Sequence, residues 1–236
     1  MPTDVRQTDA ALSFGLAFVG GYGDAASFVL AKTFTGGMTG NLVLGAIAVA
    51  AHDWWAILGP FSAIVSFFIG VLLSTLIARP LKAWPSWPLL PTVMGIEVIL
   101  IVAASVSLEA DMPHGVPVFV VFVSLALGLQ NGAFRRAGGI SVHTTFVTGM
   151  ITRLISREVE KHTSEVTLPP VRAGDTEIGL LSGIWIAFVL GAGTGAAMVL
   201  HFKALGMLGA ALVLVWLILR SSGLPRRNDS RGTPPY

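Results

Sequence analysis

The feature that most constrains this chain is a set of long apolar runs almost free of charge. Leu58 to Ala78 carries no charged residue, and Gly179 to Phe202 and Leu205 to Leu219 are equally apolar. About twenty helical residues cover the roughly 30 Å hydrocarbon core of a bilayer. The chain is 12% charged, against about 25% in soluble domains. An all-α polytopic membrane protein follows. The net charge of +2 is too small to argue for a nucleic-acid partner, and the basic tail suits an anionic leaflet instead. With no cysteine, disulfides, thiol catalysis and Cys-ligated metals are excluded.

The first run, Leu12 to Ala31, contains an acid, Asp24, at mid-membrane depth. A carboxylate there costs at least about 2.5–3.5 kcal/mol, so something must offset it. Asp24 is either a proton, cation or solute site, or a carboxyl fastening the first span to the following Thr39-Gly40-Asn41 turn. The next apolar run, Asn41 to Ala51, is too short to cross and reads as a half-length re-entrant piece. Full spans follow at Leu58 to Ala78, Thr92 to Ser107 and Val116 to Phe134. Glu97 lies near the start of its span and is expected to reach toward the interface. Thr144 to Ile155 is a second half-length piece, before the last two spans.

These elements predict six transmembrane helices plus two re-entrant segments, with both termini cytoplasmic. On that topology thirteen of the fifteen Lys and Arg fall on the inner side, leaving Lys32 and Lys203 outside. If both short pieces cross, the split becomes nine against six. The chain also repeats itself. Gly21 matches Gly128 and Asp24 matches Asn131, both 107 positions on; Thr39-Gly40 matches Thr148-Gly149, 109 on; Phe67 and Gly70 match Phe188 and Gly191, 121 on. A 3+3 inverted repeat is expected, with a leader at 1–10, a first half at 11–108 and a second half at 109–220. Residues 156–177 are expected to form a cytoplasmic loop and 221–236 a disordered basic tail.

Short, Gly-interrupted segments at matching places in two halves point to a solute site. The expected pathway residues are Asp24, Thr39, Gly40, Asn41, Gln130, Asn131, Thr145, Thr148 and Gly149, with Arg153 as a counter-charge. For Gly191, Gly193 and Gly195 close helix packing is the better reading. No HExxH, Walker lysine or GxSxG motif is present, so no catalytic residue, cofactor or metal is expected. Ser141 and His143 give only a remote case for an intramembrane enzyme.

Two blocks carry a resemblance. Gly-Tyr-Gly-Asp-Ala with Met38-Thr39-Gly40-Asn41 is the first, and Gly128-Leu129-Gln130-Asn131-Gly132-Ala133 through Val147-Thr148-Gly149 is the second. Together they resemble the YoaK family of bacterial inner-membrane proteins, over about Ala11 to Arg220. The resemblance implies a multi-pass inner-membrane protein and supplies no function. The residues themselves favour a secondary transporter or channel for a small polar solute or ion, proton-coupled through Asp24. The alternative is a non-transport membrane scaffold or assembly partner. The bilayer is the expected surrounding, and the broad apolar faces of a small repeat protein suit a homodimer.

Overall fold

The structure is a computed structural model. It describes residues 3–83, 89–110, 112, 114–134, 136–137, 140–141, 155 and 175–222. Helices α1 (Thr3–Ala31), α2 (Met38–Ala50), α3 (Leu58–Ala83), α4 (Leu89–Glu109) and α5 (Gly115–Ala133) lead into a two-residue antiparallel pair. In that pair β1 (Arg136–Ala137) meets β2 (Ile140–Ser141). Helix α6 (Asp175–Phe202) then passes through a 3₁₀ turn, Lys203–Met207, into α7 (Leu208–Ser222).

Among the described residues, five stretches are long and apolar enough to cross a membrane: Ala10–Ala31, Leu58–Ala78, Leu89–Glu109, Gly115–Ala133 and Ile178–Ser221. The last, 44 residues long, contains both α6 and α7. Helix α2 is shorter. The outward faces are as apolar as the core: Phe68 is 64% exposed, Ile99 68% and Leu212 71%. Exposed apolar surface on this scale needs a partner of its own kind, and lipid is that partner.

Inside, helices meet at glycines rather than at large side chains. On α1 and α6, a Cβ added at Gly21 would strike the Phe188 carbonyl, and one at Gly191 the Phe18 carbonyl. On α3 and α5, a Cβ at Gly128 would strike the Phe67 carbonyl, and one at Gly70 the Leu125 carbonyl. Such contacts bring backbones together where hydrophobic driving force between helices is lacking. The two crossings use corresponding residues. Phe18 and Gly21 stand 107 positions before Leu125 and Gly128, and Phe67 and Gly70 stand 121 before Phe188 and Gly191. Gly195 also abuts α1, at Tyr22, whereas Gly193 has open space around it.

The contacts fix helix directions. Gly183, Gly191 and Gly195 meet Phe14, Phe18 and Tyr22 in order, so α1 and α6 run parallel. Gly70 lies against Leu125 and Gly132 against Ser74, so α3 and α5 run parallel as well. Helix α1 is antiparallel to α5: Gln130 bonds the Leu16 carbonyl while Leu127 covers Gly23. The end of α1 and the start of α3 are neighbours, since a Cβ on Gly59 would lie 2.7 Å from the Thr33 hydroxyl. The chain therefore returns, through α2, to the end of the bundle it had just reached. Ala31, Ala48, Leu58 and Val116, from four helices, line one groove there, beside the exposed Trp54 and Trp55.

The core lies between α1, α5, α6 and α7. Leu16, Tyr22, Phe119, Leu127, Ile184 and Leu214 are all fully or almost fully buried in it. The Tyr22 hydroxyl donates to the Gly206 carbonyl and so ties α1 to the 3₁₀ turn.

Candidate functional site

The site is the place where the chain turns back into the bundle. Helix α1 ends at Ala31, and Lys32 takes a left-handed conformation (φ 54°) that stops it. The backbone then drops alongside α1. Four residues on from Ala31, the Thr35 hydroxyl donates to the Gly23 carbonyl at 3.3 Å and is hydrogen-bonded with the Ser27 hydroxyl at 3.2 Å. Gly23 lies about 12 Å back along α1 by helical rise. Helix α2 therefore begins inside the bundle and runs outward for 13 residues.

Asp24 caps that inner end. Its Oδ1 accepts three backbone N–H bonds, from Thr35 at 3.0 Å, Gly36 at 2.6 Å and Gly37 at 3.1 Å. Gly37 is the N-cap of α2 and has no side chain to do this itself. A carboxylate from another helix supplies the capping oxygen, at the end where the helix dipole favours negative charge. Successive N–H groups converging on one oxygen make an anion-binding nest. Hydrogen bonds to a charged group contribute about 1.5–3 kcal/mol each, so three of them offset part of the cost of placing a carboxylate at that depth. Oδ2 takes none of these bonds, and Asp24 remains 7% exposed.

Asn41 holds the other side of the turn. Its Oδ1 accepts the Phe34 N–H at 3.0 Å, and its Nδ2 donates to the Phe34 carbonyl at 2.6 Å. The Phe34 ring stacks on Phe28 of α1 with centroids 4.7 Å apart, and it leaves no room for a side chain at Gly40.

The expected site residues separate into groups. Asp24 and Asn41 both belong to the cradle. Thr39 and Gly40 do not form the irregular turn; they lie in the first turn of α2, and Thr39 is exposed. The irregular backbone is instead Lys32–Gly37, because α2 starts at Met38. Gln130 is fully buried but donates to the Leu16 carbonyl at 3.1 Å, about 12 Å along α1 from Asp24. Asn131 donates to Leu127 of its own helix at 2.9 Å. Thr145, Thr148, Gly149 and Arg153 lie outside the described residues, as do His143 and the second half-length piece.

Sequence reasoning missed Thr35, Gly36 and Gly37 as partners of Asp24. Their signal was present: two consecutive glycines after a hydroxyl residue supply bare N–H groups in a tight turn. It also misplaced Glu97. Expected near the interface, Glu97 is fully buried, and among the described residues neither carboxylate oxygen has a hydrogen-bond partner.

Several crossing helices, a lipid-facing apolar surface and a polar turn buried between helices define a multi-pass α-helical membrane protein. Residues 12–219 match a family described as "Protein of unknown function (DUF1275)", and the chain belongs to it. The UPF0700 transmembrane protein YoaK of Bacillus subtilis (strain 168) is 25% identical over 146 residues. That match covers 61% of this chain and 62% of the relative, so the chain spans about three fifths of the curated relative's length. No solved structure matches.

Proposed function

We propose that this protein moves a small polar solute or ion across the bacterial inner membrane, as a secondary transporter or channel. The observation that carries the reading is the buried turn at Thr35–Gly37, held on Asp24 at the inner end of half-length α2. Irregular backbone at membrane depth is tolerated where it is buried in protein or lines a cavity, and broken helices of this kind build transporter sites. In this reading Oδ1 of Asp24 holds the turn and Oδ2 meets the solute.

The equivalent crossings of α1 with α6 and of α3 with α5 support a duplicated architecture. The antiparallel relation of α1 and α5, the first helices of the two halves, supports inversion of one half relative to the other. With six spans the charge distribution then puts both termini in the cytoplasm. Residues 11–108 and 109–220 are the two halves in this scheme.

The experiment is osmotic swelling of proteoliposomes, followed by light scattering with urea, glycerol, glycine and potassium chloride as probes. Asp24→Asn keeps an acceptor oxygen for the turn but removes the charge. It is expected to assemble normally and to lose flux at least about tenfold, the equivalent of one lost polar contact. Normal flux in that variant removes Asp24 from the mechanism.

A second reading has one observation in its favour. Three N–H bonds on one oxygen are also what a purely structural fastener needs, as in a membrane scaffold. Wild-type vesicles no more permeable than empty ones to every probe would favour it.

A further inference from the structure

Among the described residues, Glu97 is the one buried acid that the cradle leaves unused. It sits at the centre of the buried face of α4, with Val93, Met94 and Ile101 beside it on the same face, all fully buried. It lies about 12 Å from the start of α4 and about 18 Å from its end. Helix α4 packs against α5, α7 and the 3₁₀ turn, and touches α3. Those neighbours offer it little. Helix α5 has no titratable residue. Lys203 of the turn is exposed, and Arg220 of α7 is exposed with its guanidinium 5.3 Å from the Trp216 ring centre. Glu109, at the far end of α4, is exposed, and α3 carries Arg79 and Lys82 in its last two turns. Both oxygens of Glu97 are buried without a hydrogen bond among the described residues.

A charged carboxylate in such surroundings costs several kcal/mol, and nothing among the described residues offsets it. A metal cation would need several further oxygen ligands. The helical neighbours of Glu97 are apolar, and the carbonyls of α4 serve its own hydrogen-bond ladder. A proton needs only the oxygen on which it sits. We propose that Glu97 is a proton-exchanging carboxyl, loaded and unloaded as the protein works, and separate from the Asp24 cradle. Its place in a transport cycle rests on the transport reading; its proton exchange does not.

The test needs no solute. Full-length protein in liposomes is treated with dicyclohexylcarbodiimide, and labelled peptides are read by mass spectrometry. The reagent reacts with the protonated acid in apolar surroundings: the acid proton goes to one nitrogen and its oxygen bonds to the central carbon. The adduct then rearranges to a stable N-acylurea, and no group leaves. The expected result is a label on Glu97 well above that on exposed Glu109. It should decline as pH rises, approaching about tenfold per unit, and be indifferent to sodium. Glu97→Gln should lose that label while keeping its size-exclusion profile, and should this variant misfold, the wild-type pH series alone decides. An unlabelled Glu97, or labelling constant across acid and alkaline pH, overturns the proposal. Suppression by sodium at fixed pH overturns it in favour of a metal-cation site. Because labelling is independent of flux, loss of the transport reading and loss of this one are distinguishable.

Discussion

Asp24 and Glu97 are both buried acids at membrane depth, yet the protein treats them in opposite ways. Asp24 is seven residues from the end of α1 and holds three backbone N–H groups on one oxygen. Glu97 is eight residues into α4 and holds nothing among the described residues. A buried acid can thus be part of the architecture or be tolerated by it. The two cases should respond to mutation with opposite signs.

The largest effect is expected at Asp24→Leu. It leaves three N–H groups without an acceptor at about 1–3 kcal/mol each, so several kcal/mol should be lost. Thermal unfolding in detergent should show a sharply lower Tm, or no assembled protein. Asn41→Ala comes next: it removes both bonds to Phe34 and should cost about 1–3 kcal/mol, read as a smaller drop in Tm. Glu97→Leu should be the mildest and of the other sign. It breaks no hydrogen bond and removes an unpaired buried polar group, so Tm should hold or rise by the equivalent of about 1–3 kcal/mol. A large loss of stability there would show that Glu97 is fastened after all, and would erase the contrast with Asp24.

Much of this was legible in the sequence, for physical reasons that differ by residue. The spans were visible because lipid demands long apolar helices, and α2 stood out because thirteen residues cannot cross. Asp24 was visible because an acid within an apolar run is costly. Close packing was expected at Gly191, Gly193 and Gly195 and occurs at Gly191 and Gly195, but which carbonyl each glycine meets depends on helices far apart in the chain. Gln130 is the same case: its polarity was evident, its partner Leu16 was not. Thr39 was preferred over Thr35 because the helix start could not be set to within a turn from sequence alone. Glu97 was misjudged because its depth was counted from the start of its span, whereas burial depends on which face α4 turns to α5 and α7.

The segment joining α1 to α2 is fastened on both sides. Thr35, Gly36 and Gly37 are bonded to Asp24 of α1, and Phe34 is bonded to Asn41 of α2. A connection fastened to both helices transmits force like a short tether. Helix α2 cannot wander from α1 as a loose flap would. Any motion that opens the buried turn must carry both helices as one body, sliding α1 against α6 at the Gly21 and Gly191 contacts.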